Sequence, residues 1–136
     1  MKAALSFAVL ACTLLMSTAV WGQTAEEYSA WMKSNSATVA DLNKNLAAKD
    51  ATAAIMDANT IQVNMAKTMI YWQIKNVPDA LKFTSAAKEG FANVIVLVNQ
   101  GKFEEAGAAA KAAQANCGGC HMAHREKAPD GSFKIK

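Results

Sequence analysis

Cys117-Gly118-Gly119-Cys120-His121 is the densest run of reactive side chains in the chain. Two thiols stand three residues apart, and an imidazole follows directly. On a helix, residues three or four apart share a face, so both sulfurs and His121 present themselves on one side. That arrangement is the C-x-x-C-H signature for covalent haem attachment. The thiols reach two adjacent vinyl groups of one porphyrin as thioethers, and His121, four residues after Cys117, faces the iron as its ligand. Gly118 and Gly119 remove bulk near the ring, each costing about 0.5–1 kcal/mol relative to alanine in a helix.

Three other uses of these residues are weaker. A zinc site built from Cys117, Cys120, His121 and His124 would crowd four tetrahedral ligands into eight residues, whereas structural zinc sites draw their second ligand pair from a more distant segment. A thioredoxin-type redox pair opens a helix in a strand-rich fold, and this motif sits near a helix end with no strands around it. A small-loop disulfide between Cys117 and Cys120 would suit an exported protein, but leaves the adjacent histidine unexplained.

Four helices carry these residues. Thr24 caps the first, with Glu27 as the return partner of a capping box, and Tyr28, Met32, Val39, Leu42 and Leu46 follow at helical spacing, interrupted by Asn35 and Ser36. Asp50 caps the second, whose stripe is Ile55, Ala58, Gln62, Met65, Met69 and Trp72. That helix ends near Asn76, because Pro78 disfavours helical geometry at Val77. The third begins about Pro78, a favoured first-turn position, with Leu81, Thr84, Lys88, Phe91, Ile95 and Val98 on one face and Gly101 as its stop. Phe103, Ala106, Ala110, Ala113, Cys117, Cys120 or His121, and His124 mark the fourth, with small alanines leading into the cysteines that leave space for something broad and flat. Four helices of similar length with short connections bury their stripes by packing antiparallel. The expectation is an all-α antiparallel four-helix bundle over residues 23–128, with covalent haem near the C-terminal end of the last helix and a polar, extended or frayed tail over residues 129–136.

Residues 1–22 read as a secretory signal peptide. Lys2 is their one charge, an apolar run follows, and Val20-Trp21-Gly22 offers a cleavage site. A membrane anchor is the alternative, but the run is near the lower length limit for a span. Cys12 faintly resembles a lipoprotein box, yet the residues after it stay apolar. The formal net charge is +3; loss of Lys2 lowers it by one, and two haem propionates bring it to about zero. With no basic run interleaved with aromatics, a nucleic-acid partner is not indicated.

The segment Cys117-Gly-Gly-Cys-His-Met-Ala-His-Arg125, at the end of a four-helix pattern in an exported chain, resembles the cytochrome c′ family. The resemblance spans about residues 24–127. It implies an arginine four residues after the haem histidine, the place of Arg125, as a haem-pocket residue; His124 departs from the aromatic that precedes this arginine in relatives. It also implies two branches. One keeps the iron five-coordinate and binds nitric oxide or carbon monoxide. The other is low-spin, takes a methionine from the first helix as sixth ligand, and carries electrons. Trp31-Met32-Lys33-Ser34-Asn35 resembles the ligand region of the second branch.

Met32 is therefore the expected sixth ligand. In an up-down-up-down bundle the start of the first helix lies beside the end of the fourth, on the far side of the ring from His121. Met65 and Met69 are the rivals. His124 shares His121's side of the ring and reads as a packing or hydrogen-bonding group of the proximal pocket. Tyr28 and Trp72 read as core or haem-wall residues. The expected function is a periplasmic monohaem c-type cytochrome that exchanges electrons with a redox partner protein. It is not an enzyme: no paired carboxylates, nucleophile or phosphate loop are present. The alternative is a five-coordinate gas-binding haem protein. Homodimers are common in the family, and the sequence assigns no patch to one.

Overall fold

The computed structural model of the chain describes residues 23–136. The expected signal peptide over residues 1–22 and Cys12 within it lie outside the described residues. Four helices follow one another: α1 (Ala25–Ala47), α2 (Ala51–Lys75), α3 (Pro78–Asn99) and α4 (Phe103–His124). Two three-residue strands, β1 (Arg125–Lys127) and β2 (Phe133–Ile135), complete the described chain. The all-helical expectation holds: the described residues form four helices and no closed sheet.

Local chemistry sets the helix ends. The Thr24 hydroxyl accepts the Glu27 N–H at 3.1 Å, and the Glu27 carboxylate accepts the Thr24 N–H at 2.8 Å. This reciprocal pair satisfies two of the donors that a helix start leaves open. Asp50 does the same for α2 by accepting the Ala53 N–H at 3.0 Å. Asn76 ends α2 in the left-handed region at φ 53°, and Pro78 opens α3 at a position that needs no N–H. Gly101, at φ 73°, turns the chain from α3 into α4; glycine meets that backbone without a Cβ penalty.

Consecutive helices pack side by side, and α1 also meets α4. The core divides into two clusters. The larger is aliphatic and alanine-rich, built around Leu42, Leu46, Ala58, Ile61, Phe91, Val94, Val98, Ala106 and Ala110. The smaller holds Tyr28, Tyr71, Trp72, Ala80 and Cys120. Met32 is half-buried and packs against both.

Five expectations change. The inward track of α3 is Ala80, Thr84, Ala87, Phe91, Val94 and Val98, one residue off the anticipated Lys88 and Ile95. Likewise α2 buries Ile61 and Thr68 rather than Gln62 and Met69. Steps of three and four leave adjacent tracks almost equivalent in sequence, and close approach then selects the track with the smaller residues. A Cβ placed on Gly90 would lie 2.6 Å from the Ala113 Cβ. The alanine face of α4 thus brings α3 close instead of leaving room for a flat group; Ala106, Ala110 and Ala113 are all buried in the larger cluster.

Asn35 does not interrupt the α1 stripe. It is buried, and its Oδ1 accepts the Asn64 Nδ2 at 2.9 Å, pairing α1 with α2 through one amide bond. The tail folds back: β1 and β2 pair antiparallel, with Arg125 opposite Ile135, so residues 129–136 carry a hairpin strand. Asp130 accepts the Ser132 N–H at 2.9 Å and Gly131 turns at φ 84°. Lys136 N–H donates to the His124 carbonyl, and its ammonium donates to the Met122 carbonyl, closing two acceptors that the end of α4 leaves open.

Candidate functional site

Cys117, Cys120 and His121 reach one cleft from the last turns of α4, as their helical spacing requires. The cleft is small, with about 20 Å³ of free space, and takes walls from all four helices. α1 gives Tyr28 and Met32; α2 gives Met65 and Thr68; α3 gives Phe83, Thr84 and Ala87. The lining is almost wholly apolar, because both threonine hydroxyls turn back onto their own helices. Thr68 donates to the Asn64 carbonyl at 2.8 Å and Thr84 to the Ala80 carbonyl at 2.7 Å.

Of the sulfur candidates on the other helices, Met32 and Met65 face the cleft and Met69 does not line it. The two differ in surroundings. Met65 is buried in the aliphatic cluster, whereas Met32 sits at the junction of the two clusters with part of its surface free. Of the two glycines in the motif, Gly119 alone stands in a tight place. A Cβ there would meet the Phe83 ring at 2.6 Å, while Gly118 has open space around it.

Burial governs the ionisation of the cysteines. It pushes the Cys117 thiol up from its ordinary value. Cys120 rises to about 11, through burial first and then the nearby Cys117 and Asp79 charges. A nucleophilic redox pair needs the opposite, a stabilised thiolate, so the electrostatics oppose the thioredoxin-type alternative. The imidazole of His121 is pushed down by burial and then by the Arg125 guanidinium. Its neutral form, the form that binds a metal, is thereby favoured.

Behind the cysteines lies an aromatic group. Tyr28 and Tyr71 lie with ring centroids 4.6 Å apart, Trp72 stands edge-on to both, and the His124 ring lies 5.2 Å from Trp72. His124 Nε2 and Asp79 Oδ2 share a hydrogen bond of 2.9 Å. This contact joins the end of α4 to the start of α3 and gives His124 the packing and hydrogen-bonding role expected of it. It also turns His124 away from the cysteines. Among the described residues no three His, Cys, Asp or Glu side chains are grouped to hold a metal ion by themselves. The donor set of the zinc alternative is thus not assembled.

Arg125 lies just past α4 with its guanidinium 4.0 Å from the centre of the Phe133 ring, so the hairpin holds it in place. Trp72 is almost fully buried, and its indole N–H has no hydrogen-bond partner. Phe83, Thr68, Ala87, Asn116 and Asp79 are site residues that the sequence did not single out. Phe83 lies off the inward track of α3, and nothing in its local sequence marks it; the close pass of Gly119 does. No family model, no curated protein and no solved structure matches the chain.

Proposed function

We propose that this chain is an exported monohaem c-type cytochrome of the cytochrome c′ kind, an electron-transfer protein and not an enzyme. One observation carries the reading. Two thiols, an imidazole and a thioether, from opposite ends of the sequence, line one apolar cleft. The residues fit a haem in kind. Cys117 and Cys120 would hold the haem through two thioether bonds, His121 from α4 would bind its iron, and Met32 from α1 would be the second protein ligand of that iron. Met32 fits that role better than Met65, which would leave a hole in the aliphatic cluster if it turned outward. In size, the cleft at about 20 Å³ is far below the roughly 300–1,000 Å³ of ordinary ligand sites, so seating a porphyrin requires its walls to part, Phe83 among them. Arg125 would be the donor for a haem carboxylate, and Trp72 a buried wall residue.

When bound, the haem supplies a ferric–ferrous couple, and a thioether ligand favours the ferrous state and raises the potential. The chain's own work is to keep the His121 nitrogen neutral, exclude water with an apolar wall, and fix both ligands on rigid helices. An up-down-up-down antiparallel bundle is part of the proposal. Its support is contact between opposite helix ends: Tyr28 near the start of α1 against Trp72 near the end of α2, and Leu46 and Ala47 at the end of α1 lining one hollow with Phe103 and Glu104 at the start of α4. Residues 1–22 direct export to the periplasm, where the partner is a redox protein.

The rival reading, a five-coordinate haem that binds nitric oxide or carbon monoxide, draws on the apolar wall of Met65, Phe83 and Ala87. Two measurements on protein made in a haem-ligating host decide. Denaturing mass spectrometry shows one added haem under the proposal; a bare polypeptide mass removes both haem readings. A sharp, split ferrous spectrum that responds slowly to carbon monoxide supports the carrier. A broad high-spin spectrum that shifts at once supports the gas binder.

A further inference from the structure

A buried amide pair sits within the apolar seam between α1 and α2. Asn35 and Asn64 are only 8% and 7% exposed. The Asn64 Nδ2 donates to the Asn35 Oδ1 at 2.9 Å and to the Ser34 Oγ at 3.2 Å. The Asn35 Nδ2 is buried with no partner. An open buried donor costs free energy, and leucine at both positions would continue the stripe of Met32, Leu42 and Leu46 without that cost. The pair therefore needs a reason other than stability.

Its place in the fold supplies one. Met32 lies three residues before Asn35, so the two share a face of α1. Across the seam Met65 follows Asn64, and the cleft residue Thr68 donates to the Asn64 carbonyl. The seam is tied at three levels: Tyr28 meets Tyr71 and Trp72, Asn35 meets Asn64, and the Asn45 Nδ2 donates to the Asp57 Oδ2 at 2.8 Å. Met32 falls between the first two. A slide of α1 along α2 by one turn exchanges Met32, Val39, Leu42 and Leu46 for one another at little loss, because they are alike in kind. The amides do not exchange. Asn35 would stand at the level of Ile61 or Thr68, and Asn64 at that of Met32 or Val39, both buried and unpaired. A single buried polar contact fixes helix register in this way, at a cost in stability.

We infer that Asn35 and Asn64 are positioning residues: their amide bond fixes the register of α1 on α2 and thereby holds the Met32 thioether at the cleft. α1 touches α4 far less than it touches α2, so α2 is the surface against which α1 is set. The consequence for iron ligation rests on the proposed haem. The register does not, and it is present in chain without haem.

Methyl NMR of haem-free chain with labelled methionines tests this. Wild type gives one Met32 signal, assigned by its loss in Met32→Ala. Asn35→Leu alone strands the Asn64 amide and lowers the urea midpoint. Asn35→Leu with Asn64→Leu returns the midpoint to the wild-type value or above, with helical circular dichroism unchanged. Yet that double variant splits the Met32 signal, while the signal of Met56 on the outer face of α2 stays single. Loaded with haem, the double variant loses roughly half of its low-spin fraction, as two registers of similar free energy share the population. One Met32 signal in the double variant overturns the inference, as does an unchanged midpoint in Asn35→Leu. A double variant that does not fold equally overturns it, because the pair is then needed for stability itself. A split Met32 signal beside a high-spin wild-type holoprotein upholds the register and places the fault in the assignment of Met32 as iron ligand.

Discussion

The two ends of the molecule are built from different materials. At the end holding Leu42, Leu46, Ala58, Phe91, Val98 and Ala106, aliphatic side chains and alanines close the helices tightly. At the end holding Tyr28, Tyr71, Trp72 and Cys120, aromatic rings surround two thiols, a buried indole N–H lacks a partner, and a cleft remains. Close packing maximises dispersion contacts and excludes voids. Aromatic rings stacked at angles leave gaps that a further flat group can fill. The first end holds the four helices in register; the second uses that rigidity to present chemistry.

The sharpest way to break this division is to damage one end and watch the other. Phe91→Ala, at a fully buried ring of the tight end, lowers stability by about 3–5 kcal/mol. Urea unfolding measures the loss, and the spectrum of the folded haem-loaded protein stays as it was; a changed spectrum would show that the ends are not separable. Met65→Ala costs about 2–5 kcal/mol and leaves a low-spin spectrum. Met32→Ala, at the junction, costs less stability but converts the spectrum to high-spin. A reversal of those two outcomes moves the sixth ligand to α2.

Smaller effects sharpen the comparison. Gly90→Ala sets its Cβ against Ala113, and overpacking outweighs the gain in helix propensity, for a net loss of about 1 kcal/mol. Gly107→Ala, with nothing near its Cβ, stabilises by about 0.5–1 kcal/mol. Opposite signs for two mid-helix glycines, read as shifts in the urea midpoint, would place the close approach at α3–α4.

The smallest effect is a pH dependence confined to the chemical end. Folding holds the Cys120 thiol neutral up to about 11, above its ordinary value of 9.0. Neutral thiol is the form that the fold prefers, so its contribution is complete below the ordinary value and is lost as pH rises from there to about 11. Chain lacking haem shows this loss of stability on a urea titration at alkaline pH. Chain with Cys120 held in a thioether has no such proton to lose and shows none of that component.

Much of this was legible in the chain itself. Capping residues Thr24 and Asp50, the break at Pro78 and the turn at Gly101 mark the helix ends because each acts through backbone groups within a few residues. The alignment of Cys117, Cys120 and His121 follows from helical geometry alone. Inward tracks were less legible: Lys88 and Ala87, or Gln62 and Ile61, differ by one residue, and local periodicity barely separates them. The task of the alanine face was misread for the same reason, since an alanine stripe permits either a void or a close helix, and the choice depends on Gly90 of α3.

What the sequence determined by itself is short-range: four helices, their ends, and three reactive groups on one face of the last of them. These depend on interactions within one or two helical turns. The tertiary structure alone decided which residues oppose that face, namely Met32 and Met65 but not Met69, Phe83 against Gly119, and Asp79 bound to His124. It also decided that, among the described residues, none covers the face of α2 that carries Met56, Val63 and Ile70. Such pairings join residues tens of positions apart, and they arise when the helices together remove the most apolar surface from water.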